Sequence, residues 1–312
     1  MVNNILVTGG AGHIGGALSK KLVEDKNTHV TILDDLSTGS EHKLPSKKFK
    51  NYDFIRADVN NIESLKNTIF KRRFDYVFHY AAVVGVNRTL LDPVKVLNDI
   101  QGVKNVLDLC IDKKVKRVFL SSSSEVYGEP VAIPQKEDET PLNSKLPYAV
   151  VKNLSEAYFR TYKQMYNLDY TIFRLFNTYG PSQSDDFVIT KFIKQSLKGE
   201  NLIINGDGSQ TRTFCYIDDS INAQIKCMNN DFYINQVLNI GSEYEITILD
   251  LAKLVIKITS SKVKIIHKDP LKEGDMTRRK PDISKMKKVL NRELLSLEEG
   301  IKKVYDFLKN KI

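Results

Sequence analysis

The stretch on which the fold depends is Thr8-Gly9-Gly10-Ala11-Gly12-His13-Ile14-Gly15, which directly follows an apolar run. Three of its glycines are spaced three residues apart, and a segment of helical periodicity carrying Leu18 and Leu22 comes next. Glycines at this spacing permit a tight turn, let a pyrophosphate approach the backbone, and let the helix pack closely on the strand. The free amides at the helix N-terminus then favour an anion. The residues expected to contact a dinucleotide here are Gly9, Gly12, His13, Ile14 and Gly15.

Acidic residues follow the next two predicted strands. Asp34 and Asp35 end the second strand, about 20 residues beyond the glycine loop. A carboxylate there accepts hydrogen bonds from the hydroxyls of the adenosine ribose and repels a 2′-phosphate, which favours NAD over NADP. Asp58 follows the third strand, at the sheet edge where open α/β sheets bind ligands. The predicted cofactor contacts at these strand ends are Asp34, Asp35, Asp58, Val59 and Ala81.

Short β-branched runs alternate with helical patterns over the first 120 residues. The predicted strands are Asn4–Thr8, Val30–Leu33, Phe54–Ile55, Tyr76–Phe78 and Arg117–Leu120. Such alternation predicts right-handed βαβ units and a parallel sheet covered on both faces. We therefore expect an α/β fold, a Rossmann-type doubly wound parallel sheet with a smaller C-terminal substrate-binding region. Residues 1–180 are expected to hold the cofactor and catalytic groups, and residues 181–312 mainly the substrate, with some segments returning to the sheet.

The composition narrows the class of protein. Among 312 residues, 47 Lys and Arg outnumber 38 Asp and Glu, giving a formal net charge of +9 spread along the chain. Because no basic stripe with interleaved aromatics is present, this charge favours an anionic small molecule over nucleic acid. The three cysteines and five histidines show no CxxC pair or metal-ligand spacing, so we expect neither disulfides nor a metal site. No apolar run is long enough to cross a bilayer, and we expect a cytoplasmic protein.

A second group of residues indicates acid–base chemistry. Tyr148 and Lys152 follow Pro147 at the start of a predicted helix, and residues four apart share one helix face. An ammonium near a phenol favours the phenolate, so Tyr148 can act as a base, while Lys152 can also hold the nicotinamide ribose. Four serines, 121–124, follow the fifth strand, and a serine at that edge can hydrogen-bond the hydroxyl that Tyr148 deprotonates.

Together these motifs, in this order and over nearly the full length, resemble the extended short-chain dehydrogenase/reductases, and among them the NAD-dependent nucleotide-sugar epimerase/dehydratase family. Ser123, 25 positions before Tyr148, matches the third member of the family's catalytic triad. The other matching segments are Thr8–Gly15 for TGGxGxxG, Asp34–Gly39 for the acidic ribose turn, Tyr148–Lys152 for YxxxK, Arg174–Pro181 for RxxNxYGP, and Gly206–Arg212 for GxGxQxR.

The resemblance implies an enzyme that binds NAD and a nucleotide-diphosphate sugar, with a UDP-sugar favoured. It places Asn177 and Arg212 at the diphosphate and Asp275 at the nucleotide ribose, while Lys272 stands where an arginine is usual. His13 replaces an aromatic residue, and Asp99 stands where many members have asparagine. Basic residues that could converge on the diphosphate are Arg212, Lys272, Arg278 and Arg279.

The family usually forms a homodimer through a four-helix interface, and we expect the same here. An apolar helix consistent with that interface carries Val96, Ile100, Val103, Val106, Leu107 and Cys110. Burial of the same side chains against the sheet would produce much of the same pattern.

Two reactions remain open. Our first expectation is a 4-epimerase, in which Ser123, Tyr148 and Lys152 serve the oxidation of C4 to a transient 4-keto sugar that takes the hydride back on its opposite face. The segment Ser124–Gly128 instead resembles UDP-glucuronate decarboxylases and 4,6-dehydratases, in which a glutamate acts at C5 or on the group it bears. Glu125 is therefore a further candidate catalytic residue. A non-catalytic NAD-bound regulator is a remote alternative, since the full triad is present.

Overall fold

Seven parallel strands form the central sheet of the computed structural model, which describes residues 2–84, 91–269 and 278–311. The strands are β1 Asn3–Thr8, β2 Thr28–Asp34, β3 Tyr52–Arg56, β4 Tyr76–His79, β5 Arg117–Ser123, β6 Tyr170–Leu175 and β11 Gln236–Ile240. Their spatial order is β3-β2-β1-β4-β5-β6-β11, so the direction of winding reverses between β1 and β4. Val7 pairs with Ile32 on one side and Phe78 on the other.

Helices cover both faces of this sheet. They are α1 His13–Leu22, α2 Ile62–Thr68, α3 Pro93–Asp112, α4 Pro147–Tyr166, α5 Val188–Lys198, α6 Ile217–Met228, α7 Ile248–Thr259, α8 Ser284–Leu290 and α9 Leu297–Lys309. One core cluster joins α3 and α4 to the sheet, with Val106 and Phe159 packed among strand residues such as Val77. The other joins α1 and α6, through Leu18 and Ile221, to the opposite face. The expected doubly wound α/β fold is confirmed.

Local sequence sets the ends of two helices that carry the site. The Asp92 carboxylate accepts a hydrogen bond from the Lys95 amide at 3.0 Å, and Pro93 stands in the first turn of α3, where no amide donor is needed. Pro147 starts α4 in the same way, and Asn167 ends it in the left-handed conformation, with φ of +56°. Tyr148 therefore lies in the first turn of its helix.

The later part of the chain adds three two-stranded sheets. Their strands are β7 Thr178–Tyr179, β8 Leu202–Asn205, β9 Thr211–Thr213, β10 Cys215–Tyr216, β12 Glu245–Thr247 and β13 Ile265–Lys268. β10 pairs with β7, β12 with β9, and β13 with β8. β11 instead joins the central sheet beside β6, with Leu238 opposite Phe173. The central sheet is thus shared by distant parts of the chain.

Among residues 2–84, 91–269 and 278–311 we find no helix with the length and apolar character that crossing a bilayer requires. The same ranges contain no group of three or more His, Cys, Asp or Glu side chains placed to hold a metal ion. Cys110, Cys215 and Cys227 are buried free thiols, and burial raises the pKa of each.

Candidate active site

An open cleft of about 550 Å³ lies at the carboxyl ends of the strands, where the winding reverses between β1 and β4. This is the place at which open α/β sheets bind their ligands. The cleft brings together the predicted residues Gly9, Gly12, His13, Ile14, Gly15, Asp34, Asp35, Asp58, Val59, Ala81, Ser123, Glu125, Tyr148, Lys152 and Asn177. Arg212 is not among the described residues that line it, and Lys272 and Asp275 lie outside the described residues.

The glycine loop forms a cradle that side chains would fill. Gly9 has φ of +66°, and a Cβ built on it would lie 2.6 Å from the Ala81 amide nitrogen. A Cβ on Gly15 would clash with the Gly9 carbonyl oxygen. Both positions therefore require glycine, and the space kept open at the start of α1 fits the pyrophosphate of NAD.

Asp34 connects the loop to the end of β2. Its carboxylate accepts hydrogen bonds from the amides of Ala11 and Leu36, each at 2.9 Å. Burial raises the pKa of Asp34, although these two backbone hydrogen bonds oppose that rise. Asp35 is exposed and accepts from the Ser37 amide and hydroxyl, at 2.9 and 2.7 Å. Asp34 is thus the carboxylate fixed at the cleft, and its remaining lone pairs fit the ribose hydroxyls of NAD.

His13 contributes a neutral ring to the cleft. Both ring nitrogens are buried, with no hydrogen-bond partner among the described residues. Burial, together with the nearby charge of Lys43, lowers the pKa of His13 to about 3. At neutral pH the residue therefore acts as an uncharged aromatic wall, in the position where the family usually has an aromatic residue.

Ser123, Tyr148 and Lys152 line the same cleft as the glycine cradle. The Ser123 side chain at the end of β5 lies close enough to the phenol of Tyr148 to lower its pKa, and the Ser123 hydroxyl oxygen accepts a hydrogen bond from the Glu125 amide at 3.2 Å. The Lys152 ammonium, one turn along α4, lies 5.8 Å from the centroid of the Tyr148 ring. A strand end and a helix start thus bring a serine hydroxyl, a phenol and an ammonium together in the cleft.

The protonation of Tyr148 differs from the sequence-based expectation. Burial raises its pKa, the Glu125 carboxylate raises it further, and the Ser123 hydrogen bond opposes both. Burial therefore outweighs the lowering expected from a neighbouring ammonium, and the positive charge that opposes the rise comes from Arg279. Lys152 itself has its pKa lowered by burial to about 8, which the Asp99 carboxylate partly offsets.

Asp99 places a carboxyl group in the cleft near Lys152. One carboxylate oxygen accepts a hydrogen bond from the Val83 amide at 2.6 Å, and the side chain lines the cleft. Burial raises the pKa of Asp99, while the Val83 amide and the charge of Lys152 lower it. The residue that replaces asparagine therefore interacts electrostatically with Lys152.

Glu125 is paired with an arginine from a distant segment. Arg279 Nη1 lies 3.5 Å from Glu125 Oε1, and both side chains line the cleft near Tyr148. The Arg279 side chain is only 8% exposed and that of Glu125 22% exposed. A nearly buried cation therefore stands in the catalytic part of the cleft.

The residues expected at the diphosphate do not all meet. Asn177 lines the cleft, with φ of +29°, and donates from Nδ2 to the Thr213 carbonyl at 3.1 Å. Arg212 is buried in β9 and donates to the Thr211 carbonyl at 2.7 Å. Arg278 pairs with Glu245 at the surface, at 2.5 and 2.8 Å, so its predicted convergence with Arg279 is not observed. Neighbouring side chains of an extended segment point to opposite sides, and this explains why Arg278 and Arg279 are separated.

Sequence reasoning missed a buried polar network beside the triad. Glu156, on α4, forms an ion pair with Arg174 of β6 and accepts a hydrogen bond from Ser122. Two features of the sequence could have identified this network. Glu156 follows Lys152 by four residues and so shares its helix face, and Arg174 is the first residue of the RxxNxYGP segment.

A glycine cradle at the switch point of a doubly wound sheet, in one cleft with a serine, a tyrosine and a lysine, defines the class as dinucleotide-dependent α/β enzymes. Residues 5–241 match the model of the NAD dependent epimerase/dehydratase family. The chain belongs to this family, and NAD is its cofactor.

Its relatives in this family carry out more than one reaction. The chain is 34% identical over 311 residues to a putative UDP-glucose 4-epimerase of Methanocaldococcus jannaschii, covering 98% of each chain. It is also 34% identical over 325 residues to a UDP-N-acetyl-alpha-D-glucosaminuronate decarboxylase of Bacillus cytotoxicus, covering 99% of this chain and 98% of that one. The solved UDP-glucuronic acid 4-epimerase of Bacillus cereus, in complex with UDP-glucuronic acid and NAD, has a TM-score of 0.88 at 30% identity, covering 99% of this chain and 100% of that one.

Proposed function

We propose that this protein is an NAD-dependent 4-epimerase of a nucleotide-diphosphate sugar, with a UDP-sugar as substrate. The observation that carries the proposal is the presence of Ser123, Tyr148 and Lys152 in the same cleft as the glycine cradle. Inversion at C4 needs one group that removes and returns a hydroxyl proton, and no further acid or base. The pairing of Glu125 with Arg279 is consistent with a role for Glu125 in shaping the cleft wall.

Tyr148 is the group that exchanges the proton. Its Oη takes the proton of the sugar 4-hydroxyl and later returns it, while Ser123 Oγ holds that hydroxyl in place. Bound NAD supplies the hydride acceptor and donor for C4 and a pyridinium charge that favours the phenolate. With a pKa of about 8, Lys152 is mostly protonated at neutral pH and adds a second positive charge near the phenol.

Of the residues predicted to contact the diphosphate, Asn177 has more structural support than Arg212. Asn177 lines the cleft, whereas Arg212 does not line it in the described part of the chain. We therefore propose Asn177 as the first contact of the diphosphate, with Arg212, Lys272 and Asp275 remaining predictions. In the division that we propose, residues 1–180 hold NAD and residues 181–312 supply most of the sugar-nucleotide contacts.

The test is a direct assay of sugar nucleotides by proton NMR. UDP-glucose, UDP-N-acetylglucosamine and UDP-glucuronic acid are each incubated with the NAD-loaded protein, and the product is identified from its ring-proton couplings. We expect one of them to interconvert with its C4 epimer, without loss of carbon and without accumulation of NADH. A preparation that carries NAD and leaves all three unchanged contradicts the proposal and favours a non-catalytic regulator.

A second candidate is decarboxylation of a UDP-glycuronate, and one specific observation favours it. The nearly buried Arg279 brings a positive charge into the cleft beside Glu125 and close to Tyr148. A carboxylate on C5 of the sugar would add a charge-assisted hydrogen bond to this cation, beside its ion pair with Glu125. After oxidation at C4 the substrate would be a β-keto acid, whose C5 carboxylate leaves as CO₂ with its electron pair retained in an enolate. A solvent-derived proton would then add at C5, and Glu125 would orient the carboxylate before it leaves.

Deuterated water separates the two candidates. Inversion at C4 leaves the C5 position unlabelled, because the hydride stays on the cofactor and the C5 hydrogen never moves. Decarboxylation replaces the C5 carboxylate by a solvent-derived hydrogen, so the pentose product carries deuterium there. Deuterium in the product, together with release of CO₂ from UDP-glucuronic acid, contradicts the epimerase proposal and establishes the second candidate.

We also propose that the protein forms a homodimer through α3 and α4. Most side chains that the sequence suggested for this interface, such as Val103 and Val106, are buried within the chain itself. Other apolar side chains on the two helices are exposed, namely Val94, Leu97, Val150, Leu154, Met165 and Tyr166. Val150 and Leu154 share a face of α4, which gives a continuous apolar surface. Light scattering should report a dimer, and Leu154→Glu should yield a monomer.

We infer a reducing compartment, such as the cytoplasm, from the thiols. Cys110, Cys215 and Cys227 are buried among apolar residues as free cysteines. Buried thiols with raised pKa values are unreactive, so they serve packing rather than cross-linking. Growth in an oxidising compartment should therefore give no increase in stability.

A further inference from the structure

We propose that Glu156 and Arg174 form a positioning ion pair that holds the tyrosine helix against the serine strand and thereby aligns Tyr148 with Ser123. The inference rests on the proposed use of Tyr148 as the proton-exchanging group. Neither Glu156 nor Arg174 lines the cleft among the described residues, and neither takes part in the steps derived above.

The position of Glu156 follows from helical spacing. Tyr148, Lys152 and Glu156 are four residues apart on α4, so they lie along one face of the helix. The first two reach the cleft, and the third is fully buried two turns from the tyrosine. A restraint on Glu156 therefore fixes both the rotation and the height of the helix that carries Tyr148.

The ion pair between Glu156 and Arg174 is bidentate and dry. Arg174 donates from Nε to Oε1 at 3.0 Å and from Nη2 to Oε2 at 2.8 Å. The Arg174 side chain is 2% exposed and the Glu156 side chain 0%. Burial alone would raise the pKa of Glu156, but the hydrogen bonds and charge of Arg174 hold it below its ordinary value. The carboxylate is therefore ionised and directionally held.

Ser122 connects the same carboxylate to the catalytic strand. Its hydroxyl donates to Glu156 Oε1 at 2.7 Å, and it immediately precedes Ser123 at the end of β5. The carboxylate thus binds β5 through Ser122, β6 through Arg174, and its own helix. The relative placement of Ser123 and Tyr148 depends on this junction.

A second arm reaches the segment that carries Arg279. Arg174 Nη1 donates to the Tyr127 hydroxyl at 2.9 Å, and that hydroxyl donates to Asn239 Oδ1 at 2.7 Å. Asn239 Nδ2 in turn donates to the carbonyls of Gln135 and Asp282, at 2.9 and 3.1 Å. The network therefore joins the three segments that supply the triad, Glu125 and Arg279.

Stability alone does not account for a pair of this kind. Taking both charges out of water costs several kcal/mol per ion, and well-packed apolar side chains of similar volume often serve stability equally well. Directional bonds, by contrast, fix one arrangement of the segments they join. The convergence of these bonds on the segments that bear the catalytic groups points to alignment as their function.

The test compares two substitutions that remove one hydrogen bond each from the same carboxylate. Ser122→Ala removes the bond to β5. Arg160→Gln removes the charge-assisted bond at 2.8 Å from a side chain that is 42% exposed and belongs to α4 itself. We expect Ser122→Ala to lower kcat about 10- to 100-fold, since small misplacements of reacting groups cost that much, with the Kd for NAD within about twofold. Arg160→Gln should change neither by more than about twofold.

A second measurement needs no substrate. The pKa of Tyr148 is followed by NMR of ¹³Cζ-labelled tyrosine, with its resonance assigned as the signal missing from Tyr148→Phe. Because the Ser123 hydrogen bond lowers that pKa, misalignment in Ser122→Ala should raise it, while Arg160→Gln should leave it at the wild-type value. The pKa of Tyr148 can be measured even if the wild-type protein turns over no UDP-sugar. A failure of the proposed function can therefore be distinguished from a failure of this inference.

Two outcomes overturn the inference. One is a folded Ser122→Ala protein with wild-type kcat and wild-type Tyr148 pKa. The other is an equal loss in Arg160→Gln, which would indicate a general effect of weakening Glu156 rather than its link to the strand. Glu156→Gln leaves the Arg174 charge uncompensated and is expected to unfold the protein, which is why the milder pair is used.

Discussion

The two walls of the cleft are built in different ways. The cofactor wall, meaning Gly9, Gly15 and Asp34, consists of backbone and one carboxylate held by backbone amides. The catalytic wall, meaning Ser123, Glu125, Tyr148, Lys152 and Arg279, uses side chains from separate segments. Glu125 and Arg279, for example, lie 3.5 Å apart. Backbone geometry encoded within a few residues identifies the cofactor. The reaction, by contrast, depends on side chains whose partners are set by the tertiary fold.

The largest effect should come from the catalytic wall, at Tyr148. Tyr148→Phe removes the proton-exchanging oxygen and leaves the ring, so turnover should fall about 10²- to 10⁴-fold. The NAD content of the purified protein, measured by absorbance after denaturation, should stay at the wild-type level. Near-normal turnover in this variant would show that the wall has another acid–base group.

The next effect concerns the cofactor wall. Asp34→Ala should weaken NAD binding by roughly 10- to 100-fold, the range expected from losing hydrogen bonds to a charged acceptor, and should relax the preference for NAD over NADP. Calorimetric titration with both cofactors measures this. Asp35→Ala removes the exposed neighbouring carboxylate and serves as the matched control, with a change below about threefold. Equal affinity of the wild-type protein for NAD and NADP would contradict the assignment of Asp34.

A smaller effect separates the two reactions on the catalytic wall. In a 4-epimerase Glu125→Gln should cost less than about tenfold in kcat, since the side chain contacts no reacting atom. A loss of about 10²- to 10⁴-fold would instead place the carboxylate in the transition state of a lyase. Steady-state kinetics on the substrate identified by NMR decides between them, with a melting curve as a check that the variant is folded.

The smallest effect is a shift in the pH dependence of turnover, and it concerns Asp99 and Lys152. The Asp99 carboxylate raises the pKa of Lys152, which burial lowers to about 8. Asp99→Asn removes that charge, so the pKa of Lys152 should fall further and the alkaline limb of the pH–rate profile should move to lower pH. Asp112→Asn, on the exposed end of α3, should leave the limb in place. If the alkaline limb moves to higher pH or does not move, Asp99 does not raise the pKa of Lys152.

The cofactor wall was predictable because its signals are local. Gly9 and Gly15 belong to one loop, and Asp34 directly ends the next strand, so spacing alone places them together. The structure extends these strands by a residue or more beyond the apolar runs, as with β5, which continues to Ser123.

The catalytic wall was only partly predictable. Tyr148 and Lys152 lie one helix turn apart, so their spacing in the sequence predicts that they share a helix face. The pairing of Glu125 with Arg279 joins residues far apart in the sequence, so no local pattern predicts it. Arg278 and Arg279 are adjacent and identical in type, yet one pairs with Glu245 at the surface and the other enters the cleft. Which of the two faces inward depends on the packing of the segment, and no local pattern encodes it.

The return of β11 to the central sheet has a consequence for biosynthesis. β6 presents one bare edge until Gln236–Ile240 arrives to pair with it, and the Arg117 guanidinium in β5 donates to the carbonyls of Cys227 and Met228 at 3.0 Å. Both contacts join residues more than 60 positions apart, and long-range pairing of this kind is slow to form. A nascent chain that has left the ribosome only as far as α4 therefore holds the whole triad on an unfinished sheet, and becomes native only after β11 has emerged.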